Sequence, residues 1–274
     1  MHGDYSNIQA GSYTLSQGHT LEQILDKIVS GDVDINTFRI TFFPGETLPD
    51  HKKRFRDAGY TDAEIEEGFN ADFGDHPVFM GAPTEATLEG YIYGETYEFY
   101  VGTGVDTIIN RTLDELWRVI ENNDLVAKYE ARGFTLYQGI VLASIIQRES
   151  STPGTIPEMP TVAQIFELRL QQGIPLGSDA VVAFRADQLN PNRDKTDLSA
   201  LYTLDCPWNS RRCQGLPPSP IASPGVHALR AVGSPNNTNY VYFLTGDDDR
   251  MYYAHTEAEH QANMVHCPIR CGMM

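Results

Sequence analysis

The chain has 274 residues, 41% hydrophobic and 21% charged, enough apolar material for a packed core in one large domain or two modest ones. Its 37 acidic residues against 20 basic ones leave a formal net charge of -17. That balance excludes a nucleic-acid-binding surface and an electrostatic grip on anionic lipid, since both need clustered Lys and Arg.

The chain opens Met1-His2-Gly3-Asp4, without the basic and apolar regions of a signal peptide. The expectation is either a cytoplasmic protein or one whose targeting segment lies upstream. The N-terminal region holds a repeat. Tyr13-Thr14-Leu15-Ser16-Gln17-Gly18-His19-Thr20-Leu21 returns as Ile40-Thr41-Phe42-Phe43-Pro44-Gly45-Glu46-Thr47-Leu48. Each copy predicts a short β-stretch, a glycine turn and a helix capped by Thr. The first helix is expected over Leu21 to Val29, with Leu21, Ile24, Leu25 and Ile28 on one face. The second is expected around Asp50 to Asp57. Strand, turn and Thr-capped helix is how a LysM-type glycan-binding module begins; a small α/β support unit without a ligand is the other reading.

Residues 75–83 read as a connection, and Leu88 to Tyr100, rich in aromatic and branched residues, as extended chain. Thr107 to Ala131 and Thr135 to Ser150 read as helices. Pro160 suits the start of a third, with Val162, Ile165, Phe166 and Leu170 inward. Leu201 to Gly225 is rich in Pro and Gly and predicts a long loop. Tyr240 to Leu244 and Met251 to Ala254 flank Gly246-Asp247-Asp248-Asp249 as a hairpin, and a last helix covers Thr256 to about Val265. The longest apolar run near the middle, Ile140 to Ile146, contains Ser144 and is far short of the roughly 18 to 20 residues of a membrane span. Helices and strands do not alternate regularly, so the expected class is α+β: a small LysM-like subdomain within residues 1–84, then a larger α+β domain over 85–274.

The helix from Thr135 to Ser150 is the most informative. Leu142, Ile145 and Ile146 form an apolar stripe, and Glu149 falls on it seven residues after Leu142. Desolvation favours the neutral acid, so the pKa of such a carboxyl rises, as a general acid requires. Arg148 points about 100° away around the helix and need not neutralise it. The plainer alternative is a carboxylate at a fraying helix end.

Cys206, Cys213, Cys267 and Cys271 lack the spacing of zinc knuckles, though His266 beside Cys267 keeps a metal site open. Cys206 and Cys213 bracket Trp208-Asn209-Ser210 in the Pro-rich segment, which suggests a local disulfide; free thiols are the alternative. Gly102-Thr103-Gly104 is only part of a phosphate-loop fingerprint, and no GxSxG elbow occurs. Asp247 to Asp249 read as a solvated hairpin tip rather than a calcium site.

Four segments, in order, carry a resemblance. Leu142 to Ser150 (LASIIQRES) is similar to the signature of the MltG-like (YceG-like) endolytic murein transglycosylases, whose last Glu is catalytic. Leu88 to Tyr97, Val162 to Leu170 with Pro175 to Asp179, and Trp208 to Ser210 with Gly215 to Ile221 and Pro224-Gly225 resemble further segments of the same family. Departures from its pattern are Gly94, Glu95, Ala180, Trp208 and Ser219, none of them at Glu149; the cysteines lie outside it.

The resemblance implies a lytic cleavage of the MurNAc–GlcNAc bond of peptidoglycan with Glu149 as acid and then base, without metal or cofactor. It also implies an N-terminal membrane anchor upstream, work outside the cytoplasm, and cell-wall synthesis enzymes as partners. Candidate substrate contacts are Glu89, which could bind sugar hydroxyls or steer Glu149, and Asp179 and Asn209, which could hold the N-acetyl group or position the acid. Tyr97 and Trp208 offer faces for sugar rings, with core packing the other reading for aromatics in an extended segment, and Ser210 offers a donor or a brace for its loop. Two other functions remain open: a non-catalytic glycan-binding scaffold, and a hydrolase pairing Glu149 with Glu89 or Asp179.

Overall fold

The structure, a computed structural model, describes residues 13, 15–31, 36–195, 199, 203–269 and 271. It is α+β, as expected.

Helix α1 (Leu21–Ser30) starts at a capping box between Thr20 and Gln23 and ends at Gly31. Of the strand expected before it, Tyr13 and Leu15 are irregular chain and Thr14 lies outside the described residues. The second copy behaves as its sequence suggests. Strand β1 (Thr37–Thr41) leads through Gly45, at φ +88, to Thr47, which caps α2 (Leu48–Asp57) with Asp50. Helix α2 begins two residues before the expected start, because Pro49 fits a first turn. A further helix, α3 (Asp62–Phe69), follows a Thr61–Glu64 capping box that the sequence reading passed over.

Strand β2 (Thr96–Tyr100) pairs antiparallel with β1, placing Ile40 opposite Tyr97 and Thr41 opposite Thr96. The boundary expected at 84/85 therefore falls inside a packed unit, because strand, two helices and returning strand straddle it. One core runs from Ile40 to Val232 across it. Only the end of Leu88 to Tyr100 is a strand. Its first half turns tightly at Gly90 (φ +87), where an added Cβ would meet Pro220 at 2.4 Å.

The expected helix over 107–131 is two, α4 (Val105–Asn122) and α5 (Leu125–Glu130). Between them Asp124 takes φ 53, a left-handed conformation that Asp tolerates better than most residues. Helix α6 (Leu136–Glu149), capped by Thr135 and Gln138, is buried from Leu136 to Gln147 apart from Gln138. It packs against α5, α7 (Met159–Gln172), α8 (Asp179–Leu189) and α9 (Val226–Gly233). Helices α8 and α9 were not expected; each begins beside a loop whose Pro and Gly masked the periodicity.

The Pro-rich segment before α9 crosses α6 as ordered chain. The Ile221 N–H donates to Ser144 Oγ at 3.0 Å and the Gly225 N–H to Gln147 Oε1 at 3.0 Å. These bonds explain two polar residues inside an otherwise apolar helix: each satisfies a buried backbone donor. Strands β3 (Tyr242–Thr245) and β4 (Met251–Ala254) form the hairpin. Helix α10 (Glu257–Asn263) continues as a tighter turn to His266. No helix among the described residues is long and apolar enough to cross a membrane.

Candidate active site

Glu149 is the last residue of α6. The helix carries it out of the core, so the side chain is half-buried with access to the surface. Burial pushes its pKa above the ordinary carboxyl value. The Ser178 hydroxyl opposes this, Asp179 adds to it, and Arg148 and Arg169 oppose it from farther off.

Ser178, just before α8, donates from Oγ to Glu149 Oε1 at 2.5 Å and is itself 2% exposed. Sequence reasoning did not single it out, although it sits inside the Pro175-to-Asp179 segment that carried part of the resemblance. Behind it, buried Arg169 of α7 donates to the Leu176 carbonyl and, at 2.7 Å, to the Val241 carbonyl. Its guanidinium lies 5.3 Å from the Tyr242 ring centroid.

Asp179 follows Ser178, and Ser210 bonds to Ser178, with Asn209 next to Ser210 in the same loop. Asp179 takes two bonds from Arg211, at 2.5 and 2.8 Å. Ser210 Oγ donates to the Ser178 carbonyl, and the Ser210 carbonyl accepts from the Gly177 N–H at 2.7 Å. Asn209 is fully buried and donates to the Leu204 carbonyl at 2.9 Å. These are intramolecular braces, which leaves Asn209 and Ser210 little capacity for a sugar.

Glu89 is not beside Ser178. It lies at the start of α2, 3% exposed, with Oε2 accepting from the Leu48 N–H at 3.2 Å and Oε1 without a hydrogen-bond partner. Burial raises its pKa to about 8; the Leu48 amide and Arg148 work against this and Asp50 with it. Arg148 thus acts on both carboxyls, and its guanidinium also donates to the Gly45 carbonyl at 3.2 Å.

Tyr97 departs from expectation. It is 6% exposed, its hydroxyl donates to the Tyr93 carbonyl at 3.0 Å, and its ring packs among Phe42 and Phe99. Antiparallel pairing with β1 turns it into the core, so it has no ring face for a sugar. Trp208 is half-buried against Phe184, with Arg185 5.5 Å from its ring centroid. It lines a cleft of about 580 Å³ with Arg185, Arg193 and Leu204. A second cleft of about 610 Å³ lies between α2, α3 and the chain before Leu88. Neither is lined by Glu149.

Cys206 pairs with Cys213 and Cys267 with Cys271. The second pair occupies the thiol that a metal site with His266 would need, and the His266 ring stacks on Tyr252 at 3.9 Å.

A carboxyl desolvated at the end of a buried helix and held by a single hydroxyl donor, on a residue that keeps partial exposure, is equipped for general acid/base work. The chain belongs to the YceG-like family, to which residues 1–266 match. It is 26% identical over 269 residues to an endolytic murein transglycosylase of Bacillus subtilis, a match covering 93% of this chain and 72% of the relative. It is 21% identical over 288 residues to an endolytic murein transglycosylase of Streptococcus pneumoniae, covering 96% of this chain but only 51% of that protein. In fold it resembles the crystal structure of a yceG-like protein of Listeria monocytogenes. The TM-score is 0.69 and the identity 24%, over 94% of this chain and 86% of the other.

Proposed function

We propose that this chain is an endolytic lytic transglycosylase of peptidoglycan that uses Glu149 as its single acid/base. The observation that carries the reading is the Glu149 carboxyl itself, half-buried, raised in pKa and fixed on one oxygen, in a chain of the YceG-like family. The names of the Bacillus and Streptococcus relatives support the substrate.

In the proposed reaction the protonated carboxyl gives its proton to the glycosidic oxygen between MurNAc and GlcNAc as that bond breaks. The carboxylate so formed accepts the proton of the C6 hydroxyl of the same MurNAc, whose oxygen closes on C1. The product is a 1,6-anhydroMurNAc end, and the acid is regenerated. An internal nucleophile has a very high effective concentration, so neither water nor a second carboxylate is required. The alternatives for a second carboxylate are poorly placed. Asp179 is engaged at two points by Arg211, and Glu89 is buried against the α2 amide. That favours the lyase over a two-carboxylate hydrolase. Action outside the cytoplasm, an anchor upstream, a role in ending glycan strands and cell-wall synthesis partners belong to the same proposal, as does substrate contact at Trp208.

The test is to digest purified sacculi in heavy-oxygen water and analyse the new ends by mass spectrometry. The expected ends are one water lighter than hydrolysed ends, unlabelled, and resistant to borohydride. Label at new MurNAc ends would make water the nucleophile and overturn the lytic mechanism; intact sacculi would leave the scaffold reading in its place.

A further inference from the structure

A connected set of contacts runs from the Cys206–Cys213 disulfide to the Glu149 carboxyl. Cys213 closes a loop in which the Asn209 carbonyl accepts from the Arg212 and Cys213 N–H groups, at 3.0 and 2.8 Å. Asn209 and Ser210 are buried within it. Ser210 grips the segment before α8 on both sides of the Gly177–Ser178 peptide, through its hydroxyl to the Ser178 carbonyl and its carbonyl to the Gly177 N–H. From the opposite side Arg169 holds the Leu176 carbonyl. At Gly177, where φ is +69, a Cβ would come within 2.8 Å of Arg169 Nη1. Asp179 and Arg211 join the two segments again one residue further on. From this braced segment the Ser178 hydroxyl donates to Glu149 Oε1.

We propose that Ser178 is a positioning residue for Glu149, and that the Cys206–Cys213 disulfide, acting through Asn209 and Ser210, holds Ser178 in place, so that turnover depends on the redox state of that cysteine pair. The inference rests on the reading of Glu149 as the acid/base. With Oε1 engaged by Ser178, Oε2 is the oxygen presented to the glycosidic bond and then to the C6 hydroxyl. A carboxyl free to rotate would spend much of its time with neither oxygen in line, and small misplacements of a reacting group are expensive in rate. The segment from Cys206 to Cys213 contains neither helix nor strand, so the disulfide constrains it where no ladder of backbone bonds does. Two-electron reduction by a dithiol breaks the S–S bond, two protons complete two thiols, and the dithiol leaves as its own disulfide. The loop then keeps Asn209 and Ser210 only by their hydrogen bonds.

The test follows the Glu149 carboxyl directly by carbon NMR titration, its signal assigned by loss in Glu149→Gln, alongside turnover on sacculi. The charges that reach this carboxyl are Asp179 of α8, Arg148 of its own helix and Arg169 of α7, and every variant below retains them. Removing the hydroxyl takes away a donor that favours the ionised form. Ser178→Ala should therefore move the midpoint to higher pH and lower kcat on the order of ten- to a hundredfold, with KM little changed. Ser178→Thr, which keeps a hydroxyl, should restore both. Wild-type protein reduced with a dithiol, and the Cys206→Ser/Cys213→Ser pair, should shift the midpoint in the same direction and lose kcat. Cys267→Ser/Cys271→Ser should match the wild type and remain sensitive to reduction. An unshifted midpoint in Ser178→Ala would overturn the role of Ser178. A Cys206→Ser/Cys213→Ser pair with wild-type titration and turnover would overturn that of the disulfide. If oxidised wild type cuts no sacculi, the transglycosylase reading fails, while the titration still decides the positioning claim.

Discussion

Replacing Glu89 by Gln should change how stability depends on pH, and the structure sets the size of the effect. In the folded chain Glu89 is 3% exposed, and burial raises its pKa from the ordinary 4.5 to about 8. Below pH 4.5 both folded and unfolded chains carry the proton. Between 4.5 and about 8 the unfolded chain ionises while the folded chain keeps its proton, so folding binds more protons and stability falls as pH rises. Above about 8 both are ionised and the dependence ends. At about 1.4 kcal/mol for each tenfold change in proton affinity, the ceiling is on the order of 5 kcal/mol. Water reaching the ionised group would reduce that, and about 2 to 3 kcal/mol is the expected observation. Gln keeps the shape and an acceptor for the Leu48 N–H but cannot ionise. The assay is urea unfolding of both proteins from pH 5 to 8.5, taking the difference so that groups common to both cancel. Wild type should lose ground to Glu89→Gln as pH rises. Parallel curves, within about 0.5 kcal/mol throughout, would refute a buried neutral carboxyl at this position.

Glu149→Gln should fold normally and lose about 10²- to 10⁴-fold in turnover on sacculi, because the leaving oxygen no longer receives a proton; activity above a tenth of wild type would remove Glu149 from the role. Gly90→Ala combines φ +87 with a Cβ 2.4 Å from that of Pro220, and should cost about 2 to 4 kcal/mol in urea unfolding; a neutral result would mean that the two turns separate easily. Tyr129→Phe removes the donor to the Leu229 carbonyl (2.8 Å) between α5 and α9, and should cost about 1 to 2 kcal/mol while leaving kcat unchanged; loss of kcat would argue against a purely structural bond.

Several elements could be read from the sequence because their causes are local. Thr20 with Gln23, and Thr135 with Gln138, start helices through bonds three residues apart. The Leu142, Ile145, Ile146 stripe placed Glu149 at the inward-facing end of α6 by helical period alone. The hairpin around Gly246 and the α+β class follow from composition and spacing in the same way. Tertiary structure decided what depends on distant pairs. Tyr97 looked like a sugar platform until β1 paired with β2 and turned it inward. The cut at 84/85 followed a stretch read as a connection, but strands on either side of it share one sheet. Ser178 reaches Glu149 across 29 positions and Ser210 reaches Ser178 across 32, contacts that leave no periodic trace along the chain. Helix period and capping fix where a side chain points, but its partner comes from the packing of separate segments, so the sequence located Glu149, the acid proposed above, and the fold alone supplied what holds it.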